Sequence, residues 1–351
     1  MNFSKYWYAF LICISLALVV IPQASSSTNP DLCRYNPKAY QGLEMTKLSH
    51  ELNGNGLIGR IHGAVAESKM YLISVREPDN FFGHREFSLI AEDDSSSEIL
   101  NQANRHDLVC IQGKILPNPS PQKHIKLNSI RILESWKQPE GFNSYEREIA
   151  DIPERLKHQT SLIGEVHAIG NQGKILVMGY QDSVIPIFVE QTKYTQNLYR
   201  GDIVELNYKI QSYPQQPSHL QLDTTTAKPI KVIDAIAAWH NQPKALSGSL
   251  VKFPQSPQLK FDVYAMEVDT QGIKRYFTLI NFEDMNKFTA IRQKLAKIWD
   301  DNADTAQSGR NKLINPTVQI QAKGLANIIS TEQANPQILL DSAEDVEQVD
   351  S

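Results

Sequence analysis

With 351 residues, 41% hydrophobic and 21% charged, the chain is long enough for two or three domains and too apolar for a disordered one. Its formal net charge of −4 gives no electrostatic reason to expect a polyanionic partner.

Lys5 is the only charge before an apolar run from Tyr6 to Ile21, which Pro22 ends. Ala24 and Ser26 then supply the small residues that a signal peptidase reads, so residues 1–26 are expected to be a cleaved signal peptide. The alternative is an uncleaved anchor, but the run is shorter than the roughly 20 residues of a spanning helix. The mature chain is therefore expected to be exported, periplasmic or secreted, without stable membrane insertion. Two cysteines remain after the leader, Cys33 and Cys110, an even count that permits one disulfide or two unrelated thiols.

Residues 27–55 read as an N-terminal arm, with a possible short helix over Leu43–Leu52. A first module, 56–134, follows. LIGRIHGAV, MYLISVRE and FGHREFSLIAED are strand candidates, and Asp94–Glu98 opens a short helix. LVCIQGKIL and HIKLNSIRIL are two further strands. Residues 135–159 are a connector. The second module, 160–234, repeats the order with LIGEVHAIG, KILVMGY and VIPIFVEQ, a short helical stretch near Thr192–Tyr199, and a hairpin over Gly201–Thr224. Val232–His240 reads as a helix, which places a linker helix at 235–244. The third module, 245–343, has strands LSGSLVKF, LKFDVYAMEV and IKRYFTLINF. Phe288, Ile291, Leu295 and Ile298 mark a longer amphipathic helix. A polar insert at Asp300–Arg310, strands TVQIQAKGLA and QILLDS, and an acidic tail at 344–351, expected to be loosely ordered, complete the chain.

Three short patterns recur in the same order. Leu-x-Gly-x-aliphatic stands at Gly59, Gly164 and Gly248. Val109, Val204 and Val318 coincide next, with Asp107 matching Asp202. Aliphatic-x-Leu-Asn/Asp-Ser/Thr then ends at Ser129, Thr224 and Ser342. A spacing near 100 residues means repeated domains and not a solenoid. Order and size resemble the OB-fold superfamily, a five-stranded, partly open barrel with a helix between strands three and four. The expected fold is mainly β: three tandem OB-like barrels, each with that helix. The third departs most, with Asn315-Pro316 where a Gly-Asp turn is expected. The resemblance implies a binding module for single-stranded nucleic acid, oligosaccharide or protein, and fold alone does not choose among them. In the repeat alignment Cys110 matches the polar Glu205 and Gln319, so it should point out of its barrel. A Cys33–Cys110 disulfide pinning the arm is the consequent expectation.

No catalytic set emerges. The nine histidines are scattered, and no Cys-x-x-Cys or His-x-x-x-His spacing suggests a metal. His62 and His167 share one repeat position and read as surface or strand-packing residues. Gly54–Gly59 mimics Gly-x-Gly-x-x-Gly but precedes a strand. Neither catalytic residues, metal nor cofactor are expected. The leading expectation is an exported, non-catalytic binding or scaffolding protein holding a protein or oligosaccharide partner. A single-stranded nucleic-acid binder is the alternative, ranked second because no module carries the basic excess that phosphate contacts demand. A secreted metal-dependent nuclease is third. Candidate ligand-binding residues, chosen by strand position, are Arg60, His62, Tyr71 and Arg85 in the first module. Tyr180 and Phe188 are those of the second, and Tyr264, Lys274, Arg275 and Tyr276 those of the third.

Overall fold

The computed structural model describes residues 32–65, 70–80, 83–91, 93–117, 122–137, 152–181, 183–212, 218–257, 261–309, 312–329 and 335–349. The leader at 1–26 and most of the connector lie outside these residues, as do Phe81 and Phe82. No helix of the described residues is long and apolar enough to cross a membrane.

The arm forms helices α1 (Pro37–Tyr40) and α2 (Met45–Asn53). Tyr40, Leu48 and Leu52 from these helices are each about 1% exposed and belong to the same core as the first module. The Tyr40 hydroxyl accepts from the Ile58 N–H at 2.8 Å. Cys33 and Cys110 form a disulfide across 77 residues, as expected. Cys110 is covered by the arm, and Gly56, with φ of +98°, gives the sulfur room that a side chain would take.

The first module is a closed five-stranded barrel. β1 (Leu57–Val65), β2 (Met70–Arg76), β3 (His84–Ile90), β4 (Leu108–Ile115) and β5 (Lys123–Glu134) close in the order β1-β2-β3-β5-β4. Helix α3 (Asp94–Gln102) lies between β3 and β4, capped by Asp93 accepting from the Ser96 N–H at 2.7 Å.

The one-turn helix α4 (Glu154–Lys157) leads into the second module. β6 (Ser161–Gly170), β7 (Ile175–Tyr180), β8 (Ser183–Phe188), β9 (Ile203–Gln211) and β10 (His219–Leu222) follow. They run β10-β8-β7-β6-β9, and β10 pairs back onto β9 to close the ring. Where a helix was expected near Thr192–Tyr199 there is only a 3₁₀ turn, Thr192–Tyr194. Thr195 ends it by donating its hydroxyl to the Gly173 carbonyl at 2.7 Å, which fixes the segment against the β6–β7 turn.

β11 (Ile230–Asp234) adds to the outside of β9. The expected linker helix is thereby corrected. Val232 and Ile233 are β-branched and join an available sheet edge, only a 3₁₀ turn, Ile236–Trp239, remains, and Pro243 opens the next strand.

In the third sheet, β12 (Pro243–Phe253), β13 (Val263–Thr270) and β14 (Ile273–Ile280) form a meander. Helix α5 (Met285–Asp300) follows, capped by Asp284. β15 (Gln307–Gly309) then forms inside the polar insert and pairs with β16 (Lys312–Asn327). β17 (Gln337–Leu339) runs parallel to β14 and antiparallel to β16, and β16 also pairs β12. Residues 344–349 of the acidic tail are ordered, contrary to expectation. A Ser342–Asp345 capping box starts a turn, and β18 (Val346–Val349) pairs with β16, burying Val346 to 1% exposure.

The repeated sequence positions have structural counterparts. At Gly164 and Gly248 an added Cβ would run into the carbonyl oxygens of Gly179 and Glu267, so the first strand of each sheet bends tightly over the second. Asp107 accepts from the Asn104 and Trp136 N–H groups, each at 2.7 Å. Asp202 accepts from the Tyr199 and Ile236 N–H groups, each at 2.8 Å. Each aspartate therefore staples the turn before its fourth strand to the chain leaving the barrel. Pro316 stands at the third position, and the fully buried Asn315 before it ties Asn302, Thr305 and Thr317 together. His62 and His167 both fall where β1 and β6 bulge against their second strands.

Candidate functional site in the cleft between the second barrel and the third sheet

The second barrel and third sheet are packed together. Ile236, just past β11, is fully buried in the third core, and Tyr199 and Trp239 pack against that core. Trp239 stacks on Phe277 at 5.7 Å. Arg275 on β14, 2% exposed, donates to Asp234 at 2.6 Å and sits 5.3 Å from the Trp239 ring centre.

Above this contact lies a cleft of about 1450 Å³. One wall is the run His158–Ile163 with Tyr180, Gln181, Val184, Ile203, Glu205 and Ile233. The other is the β13–β14 tip, Thr270–Lys274, with Gln307, Lys312, Ile314 and Pro316. Glu165, His167, Glu267 and Tyr276 line its depth. Among the lining residues four carboxylates (Glu165, Glu205, Asp234, Glu267) face three strong bases (Arg155, Lys274, Lys312) and two histidines (His158, His167). Ile163 and Ile233 are large apolar side chains about half exposed on the wall.

The polar groups at the base are largely committed to one another. Tyr276 donates to Glu267 at 2.5 Å, Lys274 lies 3.6 Å from the same carboxylate, and the Lys312 ammonium sits 4.3 Å from the Tyr276 ring centre. Glu165 is 2% exposed, and His167 Nδ1 is 3.5 Å from its Oε2. Burial pushes its carboxyl up to about 7, against the pull of Arg200, Lys312 and Arg275. The Arg200 guanidinium is itself lowered by burial.

The cleft gathers three of the ten candidate residues: Tyr180, Lys274 and Tyr276. Arg275 lies behind it in the ion pair with Asp234. Tyr71 and Tyr264, 5% and 4% exposed, belong to the first and third cores and do not face a ligand. Tyr71 donates to Asn101, and burial raises the Tyr264 phenol. Both rings lie on strands whose inner face fills a core. Phe188 is half-buried and edge-on to His219 at 4.2 Å. Arg60, His62 and Arg85 lie on the first barrel. Arg60 donates to the His106 carbonyl at 2.7 Å and pairs with Glu134 at 3.4 Å, and His62 lies 3.5 Å from Glu86. Arg85 is half-buried, and burial lowers its guanidinium.

Sequence reasoning missed Glu165, His167, Arg200, Glu267 and Lys312. One signal existed: Glu165 is a lone charge inside the apolar strand LIGEVHAIG. Among the described residues no group of three or more His, Cys, Asp or Glu side chains is placed to hold a metal ion.

No family model matches the chain, and no curated protein matches it. Among solved structures, half of it is similar to a murine DNA-binding protein bound to double-stranded DNA. That match has 13% identity, 51% of this chain, 99% of the other and a TM-score of 0.18. The tetrameric p202 HIN2 matches at 11% identity over 51% and 96%, with a TM-score of 0.17. The single-stranded DNA-binding protein of Thermus aquaticus matches at 10% identity over 50% and 89%, with a TM-score of 0.14. Likenesses at these scores carry no argument for this chain; the barrel reading rests on its own strand pairings.

Proposed function

We propose that the mature chain is an exported, non-catalytic binding protein that holds a segment of a partner in the cleft between its second barrel and third sheet. The observation that carries this reading is the cleft itself. Its volume of about 1450 Å³ exceeds the ~300–1,000 Å³ of small-molecule sites, which favours a chain segment over a metabolite. Its charges balance, which disfavours a polyanion. Its walls are more aliphatic than aromatic, with Ile163, Val184, Ile233, Ile273 and Ile314 against Tyr180 and Tyr276. Aliphatic walls suit the side chains of a polypeptide better than the faces of sugars, so a protein partner is preferred to a glycan.

Three tandem OB-like barrels are the architecture we infer. The pairings of β12, β13, β14, β17 and β16 trace the same cycle as the two closed barrels, which supports counting the third sheet with them. Export is supported by the leader sequence and by the disulfide, since disulfides persist in oxidising compartments.

A photo-crosslinker placed at Gln181 or Gln271, both on the cleft wall, tests the reading in the full mature chain. Crosslinks to one partner from both sites, and none from an equivalent probe at Lys297 on α5, are expected. Equal labelling from all three sites would overturn it.

Single-stranded nucleic acid is the second reading. It draws on Arg60 and Arg76, cations on β1 and β2 of the closed first barrel. Anisotropy titration with a labelled single-stranded oligonucleotide at two salt concentrations separates the two. Salt-sensitive micromolar binding would promote nucleic acid, and no binding at low salt would remove it.

A further inference from the structure

Glu165 is a carboxyl group buried where two folded units meet. On β6 it pairs with Gly179 of β7 and Ile203 of β9. Gly179 leaves room for it, since a Cβ there would lie 2.9 Å from the Glu165 Oε2. Its own barrel contributes His167 and Arg200. The third sheet contributes Arg275 and Tyr276 from β14, Glu267 from β13 and Lys312 from β16.

Two of these cations are already engaged. Arg275 is paired with Asp234, and Lys312 lies over Tyr276. A carboxylate at Glu165 is attracted by Arg200, Lys312 and Arg275, but the site is too dry to hydrate it and burial outweighs their pull. Burying an ion costs more than such partial pairing returns. A neutral carboxyl has no such penalty.

We propose that the contact between the second barrel and the third sheet is a proton-gated clamp with the Glu165 carboxyl as its gate: neutral, it lies dry between the two units; ionised, it admits water and the cleft walls part. The clamp does not depend on what occupies the cleft. The sign follows from the raised pKa. The Glu165 carboxyl has an ordinary value of 4.5 and is pushed up to about 7 in the folded chain. Its contribution to the closed state is full below 4.5 and is lost as pH rises through about 7. His167 and the other titrating groups add their own pH dependence, so the gate must be read against a variant that lacks only this proton.

Hydrogen exchange on the full mature chain at pH 5.5 and 8.5, corrected for intrinsic rates, provides the test. Peptides covering β6–β7 and the β13–β14 tip are expected to lose protection about tenfold or more at the higher pH, with first-barrel peptides as the internal reference. Glu165→Gln is expected to abolish that difference, staying protected at both values. A wild type without the response, or a variant that responds like the wild type, would overturn the clamp. If the variant fails to fold, the ¹³C carboxyl shift of Glu165 in the wild type decides. A midpoint near 7 supports the gate, and one near the ordinary value overturns it.

Discussion

Arg275 and Asp234 form an ion pair of 2.6 Å in which one member is 2% exposed and the other 38%. The pair joins β14 to the strand that leaves the second barrel, and its two ends are unequal. Removing the aspartate strands a guanidinium in a dry site, 5.3 Å from the ring centre of Trp239. Removing the arginine leaves a carboxylate that water can reach. Asp234→Asn is expected to cost about 2–4 kcal/mol and Arg275→Met about 1 kcal/mol. Thermal or urea denaturation of both variants checks the order. Equal costs would contradict the asymmetry.

The disulfide closes 77 residues between the arm and β4. The arm also supplies Tyr40, Leu48 and Leu52 to the core, so it should stay docked without the bond. Replacing both Cys33 and Cys110 by Ser is expected to cost about 2–4 kcal/mol without loss of the fold. Urea denaturation measures the cost. Thiol titration under denaturing, non-reducing conditions should find neither cysteine free.

Asp107 and Asp202 do the same work in the first and second barrels, each receiving two backbone N–H groups. An asparagine keeps one acceptor and turns the other into a donor facing a donor. Asp202→Asn should therefore destabilise by about 1–3 kcal/mol, and Asp107→Asn by a similar amount. Denaturant midpoints are the readout. A neutral Asp202→Asn would remove the staple from the account.

His106 gives the first barrel an acid limb. Burial, aided by Arg105, Arg60 and Arg76, lowers its imidazole from 6.5 to about 3. The unfolded chain takes up that proton below 6.5 and the folded one does not, so stability is present above 6.5 and falls as pH drops toward 3. From pH 6.5 to 5 the loss is about 2 kcal/mol. His106→Asn, chosen because His106 has a φ of +74° that asparagine tolerates, should flatten this limb. Denaturation at a series of pH values shows whether it does.

Much of the fold is legible in the sequence because it is periodic. The predicted strand LIGRIHGAV coincides with β1, and the repeated glycines mark places where strands approach closely. The disulfide followed from placing Cys110 by the same repeat. What was not legible depends on neighbours distant in the chain. Val232 and Ile233 became a strand because β9 offered an edge. The tail became β18 because β16 did. Tyr71 and Tyr264 sit on strands with two faces, and local pattern did not say which face was inside. The cleft was invisible for a stronger reason: its walls come from two modules, and Glu165 owes its character to burial where they meet, against the pull of Arg275 and Lys312, more than 100 residues away. Only its position as a charge in an apolar strand hinted at it.

The central claim is that the cleft, and not the exposed surface at large, holds the partner. Ile163 and Ile210 make a matched pair, 47% and 40% exposed on the second barrel, but only Ile163 lines the cleft. Binding of the crosslinked partner to Ile163→Arg and Ile210→Arg chains, compared by titration, measures the claim most directly. The account predicts a loss of affinity of about tenfold or more, some 1.4 kcal/mol, for Ile163→Arg and little change for Ile210→Arg. Equal affinities for the two variants would contradict it.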